Sequence, residues 1–390
     1  MILFAVAPKR IGQLDFLIPF IKNFIHDNNK YTPIILFFDK KLFSQFKKNI
    51  VLCEIIKKNG YYFFFNIPKL SLINILFRVL IILPFLIFFL IKKNNIIFIY
   101  KSIDTIIDRL LYFFNKFRGK TYTYFANNTY NDLVNRYFKK DGTPLNRAGD
   151  KVTIVKDPNP GDGLLINSMK SKKFHDLKGY KKYKVVGFPF LNKPFQDFIK
   201  DNSFKIINKE LGTNITNLNN INTILINKFW GRWSNQNIRW LKSNLSLIIE
   251  TLNKKYPESI ILIRPYPVKN NDLTDLIKEK HYTNVYFTHM HPSSLSFMSK
   301  NVIGIAQSSA CLSCLAFETP YIEISSTNEE QDKLYTQGSI YSEYCTVIKK
   351  AEDLSDLIGS DKIYKINKDT FIKKVGHEFV NLNNKLLNNI

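Results

Sequence analysis

Val302–Ser325 reads VIGIAQSSACLSCLAFETPYIEIS: a β-branched run, a small polar turn at Ser308 and Ser309, an apolar run at helical spacing, then Thr319-Pro320 and a second β-rich run. Strand, turn, helix and strand in that order form the repeating unit of a parallel sheet with crossover helices. Working outward, the unit recurs. Val285–Leu295 (VYFTHMHPSSL) and Ile260–Pro267 (IILIRPYP) each open on a strand-like run, and Thr223–Ile226 is followed by a helical pattern over Asn235–Lys255. Further helices are expected over Asp272–Lys280, Pro292–Met298 and Ser309–Phe317.

The first half repeats the theme. Met1–Ala7 is a short apolar strand, followed by the turn Pro8-Lys9-Arg10-Ile11-Gly12-Gln13 and a helical pattern over Leu14–Phe24. Strand-like runs continue at Thr32–Phe38, Tyr61–Ile67, Ile96–Tyr100, Thr121–Phe125, Val152–Val155 and Lys184–Phe188, and Asp157–Gly163 collects turn formers. The Asn-rich stretch 202–222 lacks apolar periodicity and is the expected linker. The expected fold class is α/β: two doubly wound domains facing one another across a cleft, residues 1–201 and 223–369, with a closing helix at 370–390.

A chain of 390 residues exceeds what one core usually serves, and 45% apolar content supports folded cores. The net charge of +24 suits an anionic partner, although Lys, Asn, Ile and Phe are abundant together, as an AT-rich genome would give. Four cysteines cannot form a disulfide framework, no secretory signal opens the chain, and a cytoplasmic location is expected. Cys311 and Cys314 form a lone C-x-x-C in an apolar helix and read as core. No metal and no cofactor is required.

Residues 70–91 (LSLINILFRVLIILPFLIFFLI) are nearly long enough to span a bilayer, but Asn74, Arg78 and Pro84 interrupt them and strands flank them. A crossover helix is expected, apolar nearly all round, so its outer face must meet protein or lipid. With Lys92, Lys93 and Lys101 close by, peripheral attachment to an anionic membrane surface is the favoured version; full burial of the helix is the alternative.

The turns after the strands carry the candidate chemistry. Ser308 and Ser309 begin a helix, where hydroxyls and free N–H groups bind phosphate, or simply cap. Lys228, Gly231, Arg232 and Arg264 follow the first two strands of the second domain, and fixed cations there would neutralise a departing phosphate. His289 and His291 leave the third strand, suited to nucleotide contact, acid catalysis or helix entry; no third ligand is spaced to make them a metal site. In the first domain Lys9, Arg10, Gly12 and Gln13 occupy the first turn, and a carboxylate, Asp15 or Asp162, is the expected catalytic base. The pattern is that of a nucleotide-handling enzyme.

Strand, Ser308-Ser309, helix and Thr319-Pro320 resemble the donor-binding end of the GT-B glycosyltransferases of bacterial surface polysaccharide assembly, whose two domains are Rossmann-like. Gly161-Asp162-Gly163 and Ser308-Ser309 partly match motifs of the sialyltransferase-like branch, and Tyr266-Pro267 stands where that branch has His-Pro. Ser313 stands where UDP-sugar branches and the related 2-epimerases carry Glu, and Glu318 where they carry Gly, so the donor nucleotide stays open. The resemblance implies a hexosyl- or sialyl/Kdo-type transferase of capsule or lipopolysaccharide synthesis, with a nucleotide sugar as donor and a glycan or lipid-linked acceptor, working at the inner face of the cytoplasmic membrane. Donor contacts are expected at Lys228, Gly231, Arg232, Arg264, Tyr266, His289, Ser308 and Ser309, and acceptor-side contacts at Lys9, Arg10, Gly12 and Gln13. A polyol-phosphate transferase or a nucleotide-sugar 2-epimerase is the enzymatic alternative. A basic nucleic-acid-binding protein is the other rival, but Lys is dispersed, no zinc-finger, RNP or helix-turn-helix signature appears, and no nucleic-acid partner is expected.

Overall fold

The computed structural model describes residues 1–8, 11–67, 71–124, 158–167, 169–215, 220–226, 235–265, 273–306, 310–324, 345–360 and 363. The chain divides into two compact units, the boundary falling between Phe195 and Gln196. Each is built on one parallel sheet.

The first unit carries seven strands: β1 (Ile2–Val6), β2 (Thr32–Phe37), β3 (Tyr61–Phe64), β4 (Ile96–Tyr100), β5 (Lys120–Tyr124), β6 (Gly163–Ile166) and β7 (Tyr183–Val185), in the order β3-β2-β1-β4-β5-β6-β7. All neighbours are parallel, with Leu3 opposite both Pro33 and Ile96. Its helices are α1 (Ile11–Asp27), α2 (Lys40–Lys48), α3 (Ile50–Asn59), α4 (Ser71–Ile91), α5 (Ile106–Asn115) and the short α6 (Lys172–Asp176). Local chemistry sets where they begin. Asp39 accepts the Leu42 N–H at 2.7 Å to cap α2, and Thr105 and Asp108 form a reciprocal capping box on α5.

Strand alternation divides the packing. Phe4, Leu36, Ile97 and Ile99 meet Ile82, Leu86 and Phe89 of α4 and Leu111 of α5 on one face. On the other, Phe20 of α1 sets its ring edge-on to Phe98 of β4 at 5.4 Å, and α1 packs on α3. Side chains this fully buried contribute roughly 1.5–3 kcal/mol each.

The second unit has six strands: β8 (Ile221–Ile226), β9 (Ile260–Arg264), β10 (Val285–Phe287), β11 (Asn301–Ile305), β12 (Tyr321–Ile324) and β13 (Thr346–Ile348), in the order β10-β9-β8-β11-β12-β13. Renumbered from its own first strand this is 3-2-1-4-5-6, the doubly wound arrangement whose switch point lies between the first and fourth strands. Its helices are α7 (Lys193–Leu211), whose first turn precedes the unit boundary, then α8 (Asn235–Lys255), α9 (Leu273–Glu279), α10 (Pro292–Met298), α11 (Cys311–Leu315) and α12 (Leu354–Leu357). Leu241, Leu245, Ile248 and Leu252 of α8 pack on Ile224, Ile261, Ile303 and Ile322 of the sheet.

Three expectations need correction or qualification. The linker expected over 202–222 begins inside α7 and ends inside β8, and the unit boundary lies upstream of it. Phe195, Phe198, Ile199, Ser203, Ile206 and Ile207 form a buried stripe at helical spacing beneath the polar residues. Strands β6 and β13 were not anticipated, being only four and three residues long. The strand expected at Val152–Val155 and the closing helix at 370–390 lie outside the described residues.

Cys311 and Cys314 are buried core thiols, as their apolar setting implied. The Cys314 thiol lies 3.1 Å from the Ser296 hydroxyl, joining α11 to α10. Burial pushes the Cys314 pKa up to about 12, so the thiol stays protonated and unreactive at neutral pH.

Candidate functional site

At the switch point of the second sheet β11 ends on Ile305, and Ala306 follows with φ 67, the left-handed region that costs a residue bearing a Cβ roughly 1–2 kcal/mol. Ala306 still donates its N–H to Ile324 at 3.0 Å, so this left-handed residue closes the ladder at the carboxyl edge. Sparsely populated backbone of this kind collects at ligand sites. The first sheet repeats the device: β4 lies across the switch point from β1, and Lys101, immediately after it, has φ 69.

Arg264 closes β9 beside the switch-point strand β8, and its Nε donates to the Met290 carbonyl at 2.9 Å. That bond ties the guanidinium to the loop leaving β10. The loop itself is held from α7, where the Glu210 carboxylate accepts the Thr288 hydroxyl at 2.8 Å and the His289 N–H at 3.4 Å. The Thr288 oxygen accepts the Met290 N–H at 3.1 Å. Glu210, Thr288, Met290 and Arg264 therefore form one hydrogen-bonded series that fixes a cation at the carboxyl edge. Sequence reasoning missed Glu210 because it lies in the stretch expected to be a linker; the buried stripe of α7 was the available signal.

Burial raises the Glu210 pKa, the largest contribution, and its bonds to Thr288 and His289 oppose the rise. Between the ordinary carboxylate value and the raised one the folded state binds more protons than the unfolded state, so stability falls as pH rises through that window. Glu210→Gln is expected to flatten this dependence while keeping the loop, because an amide can accept from His289 and donate to Thr288. Glu210→Ala leaves both donors without their acceptor and is expected to cost about 1–3 kcal/mol. Urea melts of the three proteins across the acidic range check both statements.

His291, expected to serve nucleotide contact, acid catalysis or helix entry, caps a helix. The residue is only 2% exposed, and Nδ1 accepts the Ser293 N–H at 3.1 Å at the start of α10, with Pro292 in the first helical position. His289 contributes its backbone N–H to the Glu210 contact. Lys228, Gly231, Arg232, Tyr266, Ser308 and Ser309 lie outside the described residues, as do Lys9 and Arg10.

In the first unit the two candidate bases separate to opposite edges of the sheet. Asp15 lies in the second turn of α1, past the carboxyl end of β1, half-buried and 3.4 Å from the Asn49 amide that donates to it. Gln13 is buried and Gly12 exposed in the turn before it. Asp162 precedes β6 and so stands at the amino edge. Its carboxylate accepts the Thr121 N–H at 2.7 Å, its own N–H donates to the Thr121 carbonyl at 2.7 Å, and Lys120 lies 3.6 Å away. Asp162 thus clasps β5 to β6, at the edge opposite Asp15.

No protein-family model matches the chain, and no curated protein matches it. Solved structures do. A putative UDP-N-acetylglucosamine 2-epimerase from Listeria monocytogenes aligns over 97% of this chain and 90% of its own, at 10% identity and TM-score 0.51. UGT71G1 from Medicago truncatula, complexed with UDP-glucose, aligns over 100% and 98%, at 10% identity and TM-score 0.51. A UDP-GlcNAc 2-epimerase from Neisseria meningitidis bound to UDP-GlcNAc aligns over 98% and 95%, at 12% identity and TM-score 0.50. At these identities the likeness is one of fold: two doubly wound α/β units in series, as in the GT-B glycosyltransferases and the 2-epimerases.

Proposed function

We propose that this chain is a glycosyltransferase that takes a sugar from a nucleotide-activated donor bound by the second unit and passes it to a glycan or lipid-linked acceptor bound by the first. The observation that carries the reading is the carboxyl edge of the second sheet, where a switch point with left-handed backbone at Ala306 adjoins a guanidinium fixed by the Arg264 to Met290 bond. Doubly wound sheets bind nucleotides at that point. In the transfer the bond from the sugar's anomeric carbon to the terminal phosphate oxygen breaks, and a bond from the acceptor oxygen to that carbon forms. The acceptor proton passes to Asp15, and Arg264, with Lys228 and Arg232 in the same role, offsets the charge gathering on the departing nucleotide. Ser308 and Ser309, which follow β11 in the sequence, are assigned to the phosphates. The donor is a hexosyl nucleotide or a CMP-linked sialic or ketodeoxy acid, and bacterial capsule or lipopolysaccharide assembly in the cytoplasm is the setting; neither cofactor nor metal is invoked.

The epimerase reading is kept because solved 2-epimerases share the fold along nearly the whole chain. The two readings separate in one assay. A transferase releases nucleotide only when acceptor is present, whereas an epimerase interconverts the nucleotide sugar alone.

The binding step is tested by thermal shift against CMP, CDP, UDP, GDP and dTDP, since a ligand of the native state raises the melting temperature. One nucleotide is expected to shift it selectively. Arg264→Ala is expected to lower affinity for that nucleotide about 10- to 100-fold, the size of a lost charge-assisted hydrogen bond. No shift with any nucleotide, or full affinity in a folded Arg264→Ala protein, would remove the donor site from this edge.

A further inference from the structure

The helix α4 carries an exposed apolar face. Its Ile73–Ile91 stretch is long and apolar enough to cross a membrane by length and composition, yet only 17% of it is buried. Ile82, Leu86 and Phe89 form the inner stripe on the sheet, at 0–2% exposure, while Leu76, Leu80, Leu83, Ile87 and Leu90 run down the opposite side at 43–58%. The exposed apolar surface continues onto α5 and its exit, through Ile106, Phe113 and Phe117, and onto Tyr61 and Phe63 of the edge strand β3. Among the described residues every exposed large apolar side chain lies between Met1 and Met169, so the second unit has no counterpart. A contiguous face of this kind marks an interaction site.

Charge identifies the occupant. The Arg118 guanidinium donates to the Ile91 carbonyl at 3.1 Å, which brings the C-terminal ends of α4 and α5 together. At that shared end Lys92, Lys93, Lys116 and Arg118 are all exposed, and Lys116 lies 4.8 Å from the ring centres of both Phe113 and Phe117. The acidic residues of α5 and its entry, Asp104 and Asp108, stand at the other end. Cations at helix C-termini have an ordinary electrostatic use, but that leaves the apolar stripe unexplained. An anionic leaflet satisfies both, with apolar side chains entering the acyl boundary and lysines reaching the headgroups.

The topology decides between lying on the bilayer and crossing it. Strands β3 and β4, which flank α4, belong to one sheet, and the inner stripe is packed on that sheet. The helix is roughly 30 Å long, and to span it would have to leave the core it helps to build. We infer that α4 and α5 together form a monotopic platform that holds the first unit flat against an anionic lipid surface. The inference stands independently of the transfer reading, since nucleotide binding can fail while membrane binding persists, and the reverse.

The test is co-sedimentation of the full chain with vesicles of phosphatidylcholine alone and of phosphatidylcholine with phosphatidylglycerol, beside sedimentation velocity without lipid. The wild-type protein is expected to sediment with the anionic vesicles and to be released by salt. Leu80→Gln, Leu83→Gln and Ile87→Gln together should abolish binding. Lys92→Glu with Lys93→Glu, both at exposed positions, should weaken it at least about tenfold on the anionic vesicles only. This second variant keeps the test decisive if the first does not fold. A monomer that ignores both vesicle types, binding that neither variant changes, or a lipid-free dimer that the glutamine variant dissociates would each overturn the inference, the last by showing a second copy on this face.

Discussion

Asp15→Asn is expected to lower turnover by about 10²–10⁴-fold, the usual size of a lost general base, while the melting temperature stays close to wild type. Asp162→Ala should do the reverse, costing about 1–2 kcal/mol of stability with turnover per folded molecule unchanged. The contrast follows from position. Asp15 stands beyond the carboxyl end of β1, half-buried, with Asn49 donating to one oxygen. Asp162 stands at the amino edge of the same sheet, roughly 15 Å away along the strands, and both its backbone and its carboxylate pair with Thr121. A proton acceptor at the amino edge cannot serve a reaction at the carboxyl edge. Steady-state rates with an identified donor and acceptor, set beside urea melts of each variant, check both halves; a large turnover loss in a folded Asp162→Ala protein would reverse the assignment.

These two residues also show where sequence reading stops. The bounds of α8, α10 and β12 are legible to the residue, because each run ends at a composition change. The sheet edge a residue occupies depends on whether it precedes or follows a strand, and β6 was hidden behind the turn formers at 157–163, so Asp162 seemed to lie in a loop of unassigned depth. Glu210 was hidden by composition: the Asn and Lys side chains of α7 are its solvent face, and only the spacing of Phe195, Ile199, Ser203 and Ile206 reveals the helix. His291 is a different case. Its spacing from His289 invited a chemical role, but whether a ring nitrogen caps a helix is set by backbone geometry that no spacing reports. The place of Arg264 at the end of β9 was legible because the apolar run stops there.

Gly161→Ala is expected to destabilise the first unit by roughly 2–5 kcal/mol, the largest stability loss foreseen for a single methylene-sized change here. Two costs combine. Gly161 has φ 64, so any Cβ incurs the left-handed penalty, and that Cβ would overlap the Thr121 carbonyl oxygen. The same oxygen accepts the Asp162 N–H at 2.7 Å, so moving it away breaks the clasp between β5 and β6. Gly12→Ala is the control. Gly12 lies in the first turn of α1, and among the described residues a Cβ there meets no heavy atom within 4 Å. Helix propensity alone then predicts a gain of about 0.5–1 kcal/mol. If Gly12 borders the acceptor, Gly12→Ala combines that gain with weaker acceptor binding, a raised KM at unchanged kcat, because a methyl group would occupy space the acceptor uses. Urea unfolding resolved for the first unit, with KM measured for the acceptor, separates a glycine needed for the backbone from one needed for access.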